Sequence, residues 1–363
     1  MRRYQILLVL FSSFSCVLAQ GDPYIISRQG SVVIQPLYQS WSMKDGVKFS
    51  EFGTTLSLYV PISRSMNVSL RGGQASSGGD VPKLSGITDM QVGFGYHWES
   101  INTIVSCGVN LPSGHKELTQ EEFETSVLFS NSIFNLQQPS FGQGFSLNPG
   151  IAWVYSVNDG VVLGLAGSFQ YKGKYRPRSG MDDYDPGDEL LLTGGVDLRL
   201  SESSSLSSDV VYTTYGADKI GGEKVFASGN AVSANVQYKQ YVKENELGVF
   251  LRYRTKAKGE IASASGLVPE PERIEPSRFE FLTHYKINFS SRFSARVLGE
   301  ARFYEKTAAA FSGANIFGIG VVPVLSLPSG LSFPARVKFQ IGTQKDAKNI
   351  TGVEIGAGIG FTF

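Results

Sequence analysis

Residues 279–289 read FEFLTHYKINF. In an extended chain successive side chains point to opposite sides. Phe279, Phe281, Thr283, Tyr285, Ile287 and Phe289 then share one face, and Glu280, His284, Lys286 and Asn288 share the other. After Ser290-Ser291 the pattern repeats, with Ala295, Val297, Ala301 and Phe303 against Arg296, Glu300, Arg302 and Tyr304. Leu247, Val249, Leu251 and Tyr253 oppose Arg252, Arg254 and Lys256; Val337, Phe339 and Ile341 oppose Arg336, Lys338 and Gln340. One face is continuously apolar and the other carries charge, so these are strands with unlike surroundings on their two sides. Strands of a soluble sandwich alternate too, but they run about 5–6 residues. Many runs here reach about 12–15 residues, enough to cross a bilayer at the tilt of barrel strands.

Sixteen such runs are counted, near 31–43, 49–62, 66–77, 86–98, 101–114, 144–157, 160–176, 189–201, 204–215, 226–243, 246–260, 276–289, 292–306, 315–326, 331–343 and 350–363. Every second connection is minimal, as at Glu99-Ser100, Asn158-Asp159, Glu202-Ser203, Glu244-Asn245 and Ser290-Ser291. The interleaved connections, 78–85, 115–143, 177–188, 216–225, 261–275 and 307–314, are mostly longer. Tight turns at one end and long loops at the other are the asymmetry of an outer-membrane barrel. The expectation is an all-β chain forming one antiparallel up-and-down transmembrane β-barrel over 31–363, of about 16 strands, with 14 or 18 left open. A short periplasmic segment, 20–30, precedes it.

Composition agrees. Charged residues are 18% of the 363, against roughly 25% in an ordinary soluble domain, while glycine (41), phenylalanine (24) and tyrosine (16) are plentiful. The balance of 33 basic to 32 acidic residues excludes a nucleic-acid binder working through bulk positive charge. Met1–Gln20 carries Arg2 and Arg3, an apolar core over Ile6–Phe14, and Val17 and Ala19 at the small-residue positions. This is a signal peptide over 1–19 with cleavage after Ala19. Only Cys107 survives cleavage, so no internal disulfide is available.

No catalytic constellation stands out, and the chain is read as a non-enzyme with no cofactor. The three histidines, His97, His115 and His284, lack metal-motif spacing. His284 has acids such as Glu300 on a neighbouring strand, a pairing that also fits a ladder of ionic contacts inside a barrel. The expected inward wall carries Lys172, Lys174, Asp197, Arg199, Lys239, Arg252, Arg254, Lys256, Glu280, Lys286, Arg296, Glu300, Arg302, Arg336, Lys338 and Glu354, with bases outnumbering acids. It reads either as a pore with anion preference or as an ordinary set of cross-strand pairs.

Loop 115–143 is longer than connections normally are. Thr119 precedes Glu121-Glu122, and Phe123, Val127, Leu128 and Ile133-Phe134 recur at helical spacing. A helix here would fold into the mouth and narrow it or lie over it as a lid, cap the outer rim, or belong to a surface loop. The acidic stretch Asp182–Asp188 reads as a Ca²⁺ or lipopolysaccharide-bridging loop or as a solvated one.

The end of the chain, Gly352–Phe363, alternates apolar residues with Gly, Glu or Thr and stops on Phe363. It resembles the Gram-negative outer-membrane β-barrel proteins. The resemblance implies that Phe361 and Phe363 are read by the barrel-assembly machinery, and that the chain sits in outer-membrane lipid. The segment CGVNLPSG, with Gly108, Leu111, Pro112, Ser113 and Gly114, resembles the MetA-pathway phenol-degradation family of outer-membrane barrels. That likeness implies uptake of aromatic or other hydrophobic compounds, as in the related fatty-acid transporter barrels. The reading carried forward is passive passage of small-molecule solutes, with hydrophobic-compound uptake or a closed adhesive surface barrel as alternatives.

Overall fold

The computed structural model describes residues 29–363 apart from 44–45, 115–116, 139–140, 308–311 and 345–347. The expected signal peptide and nearly all of segment 20–30 lie outside the described residues. The strands are β1 (Ser31–Met43), β2 (Lys48–Pro61), β3 (Met66–Gly79), β4 (Met90–Trp98), β5 (Thr103–Leu111), β6 (Ser146–Asn158), β7 (Val161–Lys172) and β8 (Glu189–Arg199). The second half gives β9 (Ser204–Tyr215), β10 (Ala231–Val242), β11 (Asn245–Lys256), β12 (Arg278–Asn288), β13 (Phe293–Tyr304), β14 (Asn315–Ser326), β15 (Leu331–Gln344) and β16 (Lys348–Ala357, continued by Ile359–Thr362). Each pairs antiparallel with its chain neighbours. The sheet closes where β1 meets β16, in register from Met43↔Ile350 down to Ser31↔Thr362. It is a closed barrel of 16 strands.

The alternation decides which way each side chain faces. Outward positions carry the apolar set, left exposed to a degree that a folded soluble chain avoids: Ile319 and Ile341 are each 64% exposed and Leu165 60%. Near the short-turn end Trp98, Tyr155, Phe289, Phe293 and Phe361 point outward; toward the other end stand Tyr38, Phe52, Tyr171, Tyr212, Tyr253, Phe303 and Phe317. Two aromatic girdles around an apolar band are what a membrane barrel presents to lipid. Strands of about 12 residues at a tilt near 40° give a wall roughly 30 Å tall.

Several expected boundaries shift: 101–114 ends at Leu111, 160–176 at Lys172 and 246–260 at Lys256. The run 226–243 starts in the barrel only at Ala231, because Ser228-Gly229-Asn230 interrupts it. The connections read as long loops at 216–225 and 261–275 contain short strands. Ala217–Ile220, Glu223–Ala227, Glu260–Ser263 and Gly266–Pro269 join Tyr184–Asp185 in a five-stranded antiparallel sheet formed by the long outer connections. These segments are too short for period-2 alternation to register.

Candidate functional site

The long connection 112–145 is fastened at its base by Asp89. Its carboxylate accepts from Gly114 N (2.9 Å), Gln143 N (2.7 Å) and Asn110 Nδ2 (3.0 Å), so one side chain holds both ends of the loop. Ser113 accepts from Met90 N at 2.8 Å. The loop ends pack so closely that a Cβ on Gly114 would lie 1.9 Å from the Phe141 carbonyl oxygen. The LPSG residues therefore act as a fastening for the loop.

Helix α1, Gln120–Phe129, begins in a capping box. Thr119 Oγ1 accepts from Glu122 N (3.2 Å), and the Glu122 carboxylate accepts from Thr119 N (2.9 Å). Thr125 donates to Pro82 O at 3.0 Å, tying the helix to the chain that follows β3. Phe129 is fully buried, Phe123 packs against the core, and Glu121 and Val127 face outward to solvent, Val127 being 54% exposed. Of the expected loop residues, then, Phe123 and Phe134 pack inward, Glu122 caps the helix, and Glu121 and Val127 take no part in that packing.

After the helix the chain lies against the inner wall. Ile133, Phe134 and Leu136 join Trp41, Phe49, Ala75, Ile316 and Ile350 in the main hydrophobic cluster. The Phe134 ring stands edge-on to Trp41 (5.6 Å between centroids) and Phe49 (4.8 Å). Polar wall groups bind the loop through its backbone. Trp41 Nε1 donates to Phe134 O (3.1 Å), Gln39 Nε2 to Asn135 O (3.1 Å), Arg302 Nη1 to Ile133 O (2.8 Å) and Tyr304 Oη to Ser132 O (2.9 Å). In the other direction Gln39 Oε1 accepts from Gln137 N (2.6 Å), and Glu51 Oε1 accepts from Gln138 N (3.0 Å). Gly73 makes room: a Cβ there would sit 2.7 Å from Gln138 Nε2. The segment 129–138 thus covers β1–β3 and β13–β16 from inside.

Beneath it runs a charged network. Lys338 Nζ lies 2.9 Å from Glu300 and 2.8 Å from Glu354, Arg336 lies 2.9 Å from Glu354, and Arg302 reaches Glu300 at 3.4 Å and Gln340 at 2.7 Å. Lys338 is only 1% exposed. Burial on this scale requires pairing, and each cation here has it. Further round the wall a chain of contacts crosses four strands. Asn235 donates to Asp209 (2.7 Å), Arg252 to Asn235 (3.0 Å), and Arg252 pairs with Glu280 at 3.2 Å. Arg254 and Lys256 share Glu275, at 3.6 and 2.7 Å. Arg296 stands directly opposite Lys286 on the neighbouring strand.

Three placements differ from the sequence reading. His284 meets Glu246 (3.0 Å) on β11, whereas Glu300 belongs to Lys338, so the two are not partners. Lys174 lies beyond the end of β7 in an outer connection, 3.9 Å from Asp185, because Gly173 ends the strand. The acids of 182–188 turn to separate partners, Asp183 to Arg176 (3.1 Å) and Asp185 to Lys219 (3.6 Å), leaving no ring of free carboxylates. Asp218 steadies this region by accepting from Tyr184 Oη and Gly187 N, each at 2.7 Å. Burial, reinforced by that bond, pushes the Tyr184 hydroxyl far above its ordinary range. Among the described residues no three metal-ligating side chains gather. Sequence reasoning missed Asp89, Gln39, Trp41 and Glu51. A signal existed for Trp41: with Phe49 it is a large apolar residue on the inward parity of β1 and β2, which only a covering segment explains.

No protein-family description matches the chain, and no curated protein matches it. Among solved structures, it is similar to an outer membrane channel from Pseudomonas putida F1 at 12% identity, covering 95% of this chain and 100% of that one, with a TM-score of 0.40. The outer membrane protein opdK from Pseudomonas aeruginosa is 9% identical over 94% and 100% of the two chains, with a TM-score of 0.47. A triple mutant of the Rhodopseudomonas blastica porin is 13% identical over 92% and 99%, with a TM-score of 0.38. These likenesses are distant, and the functional reading below rests on the chain's own geometry.

Proposed function

We propose that the protein is an outer-membrane channel for passive passage of small solutes, narrowed from within by the segment 112–145 and lined on its open side by a basic-biased wall. The observation that carries this is the inward course of residues 129–138, held by five wall side chains, Gln39, Trp41, Glu51, Arg302 and Tyr304, at the level of the charged network. A barrel of about 16 strands is wide enough to leave a channel unless something fills it. The segment fills the half bounded by β13–β16 and β1–β3, so the remaining path runs off-centre along β5–β12. Export by a signal peptide over Met1–Ala19 and assembly through Phe361 and Phe363 belong to the same proposal. The exposed apolar band and aromatic girdles support the membrane setting.

The test is planar-bilayer conductance of the refolded mature chain beside a variant lacking 117–141. Steady current in the intact protein, with a larger unitary conductance in the deletion, is expected. Absence of current in both overturns the reading.

A further inference from the structure

Near the outer rim of β11–β13, two rows of side chains cross the lipid-facing side in register. The lower row is aromatic: Tyr253 pairs with Phe279, and Phe279 with Phe303. All three rings are more than a third exposed. The Phe279 and Phe303 rings stack at 6.3 Å, and Phe317 stands edge-on to Phe303 at 5.6 Å. Two residues nearer the rim, roughly 7 Å along each strand, the row is polar and consists of Thr255, Ser277 and Glu305. The Thr255 and Ser277 hydroxyls lie 2.9 Å apart, and Glu305 N donates to Ser277 O at 2.8 Å. Arg273, from the connection that precedes β12, lies across this row, donating to Thr255 Oγ1 at 3.4 Å and pairing with Glu305. Ser277 N also donates to Glu305 Oε2 (3.3 Å), so both bonds to this carboxylate end on one oxygen and Oε1 keeps its accepting capacity. Tyr253, Phe279 and Phe303 from one row, Ser277 and Glu305 from the other, and Arg273 line a cavity of about 430 Å³.

We propose that this cavity seats a sugar ring of an outer-leaflet glycolipid. The class follows from the two rows. Flat aromatic faces take the apolar C–H face of a sugar ring. The polar row supplies guanidinium donors, a carboxylate acceptor and a hydroxyl that does either, which is what a hydroxyl-lined edge needs. Because Arg273 is matched by Glu305, the row carries no surplus charge that would favour a phosphate alone. A mainly apolar cavity of this size with a few convergent polar groups is the ordinary form of a small-molecule site. The source follows from the direction of the aromatic row. Its rings belong to the outward girdle, where amphipathic rings meet lipid headgroups, so a solute crossing the lumen does not pass them. The proposal rests on the outer-membrane setting and holds whether or not the barrel conducts.

The test is native mass spectrometry of the mature barrel in detergent, with purified lipopolysaccharide as the probe. Wild type should retain a lipopolysaccharide adduct after dilution. Its occupancy should fall at least about fivefold in the double variant Phe279→Leu, Phe303→Leu, which keeps apolar bulk and removes two stacking faces. Glu305→Gln, which leaves the aromatic row whole, should lower it severalfold. Replacing girdle aromatics elsewhere, Tyr171→Leu with Tyr212→Leu, should change it by less than twofold. Heat-dependent gel mobility identifies any variant that fails to fold, and bilayer conductance of the folded ones should match wild type. No adduct in wild type, or equal retention in the folded Phe279→Leu, Phe303→Leu variant and in Glu305→Gln, overturns the proposal. Phosphatidylglycerol held equally well makes the cavity an acyl groove, and released core oligosaccharide held as tightly as the intact lipid makes it a solute site; either result overturns the glycolipid assignment. Current without an adduct removes the sugar site and leaves the channel standing, whereas an adduct without current does the reverse.

Discussion

Asp89 and Glu51 fix the loop by opposite means. Asp89 is fully used: two backbone amides and an amide side chain converge on it. Bonds to a charged acceptor contribute about 1.5–3 kcal/mol each, so Asp89→Ala should free both ends of the loop and open it to limited proteolysis between 117 and 141, with the barrel intact. Resistance to cleavage equal to that of wild type would show that the base needs no anchor. Glu51 is only half used. Its Oε1 holds Gln138 N, while Oε2 is buried with no partner. Glu51→Gln keeps the Oε1 acceptor and nearly the same shape, so unitary conductance should stay within about the wild-type spread. Glu51→Leu strands the Gln138 amide at a cost of about 1–3 kcal/mol and should give a noisier open level. Equal noise in both variants would remove Glu51 from the fastening. Neither residue stood out in the sequence, because a single acid before or within a strand carries no periodic signal; its role comes from a loop many residues away.

The elements divide into those legible from alternation and those that are not. β9 and β14 occupy the residues expected from periodicity because a strand with lipid on one face and a polar interior on the other must alternate throughout. The outer sheet escaped notice since its strands are four or five residues at most and its stability comes from pairing between distant connections. The α1 helix was readable from its cap, yet its destination was not. What decides that destination is Trp41, which is 1% exposed. Trp41→Ala removes a buried anchor of the kind that contributes about 3–5 kcal/mol, and the segment should detach intermittently, seen as flicker between two conductance levels. A single stable level as in wild type would count against it. At the mouth, Glu275 tethers the connection before β12 to β11. Burial acts to raise its carboxyl, but Lys256 and Arg254 outweigh that and leave it below the ordinary carboxylate value. Its contribution is therefore complete above the unfolded value near 4.3 and is lost as pH falls through the lowered one. The pair is partly exposed and the effect small; below about pH 4 the mouth should become more mobile by hydrogen exchange in 260–277, and a Glu275→Gln variant should lose that pH dependence.

At the scale of the whole molecule, closure depends on the last strand. Phe363 exchanges backbone hydrogen bonds with Gly30, at 2.8 and 3.0 Å, and its ring stacks on Phe361 at 6.0 Å on the outward face. Deleting Phe363 removes one rung of a ladder that runs the height of the barrel, so refolding in detergent should survive, whereas delivery to the outer membrane should fall severalfold if the terminal aromatic is the assembly signal. Equal delivery would leave Phe363 with a structural role only. The barrel as a whole was visible in the sequence because membrane and lumen act on every strand alike. The side of the lumen that is filled was not, since it depends on which wall the long connection meets. The polar side chains of that wall reach the connection mainly through its main-chain atoms, namely the carbonyls of Ile133, Phe134 and Asn135 and the amides of Gln137 and Gln138. Beyond the apolar seats of Ile133, Phe134 and Leu136, such a socket reads little of the side chains it holds. The aperture-facing residues of the insert can consequently drift, or be redesigned, toward a new solute while the seat that positions them is inherited unchanged.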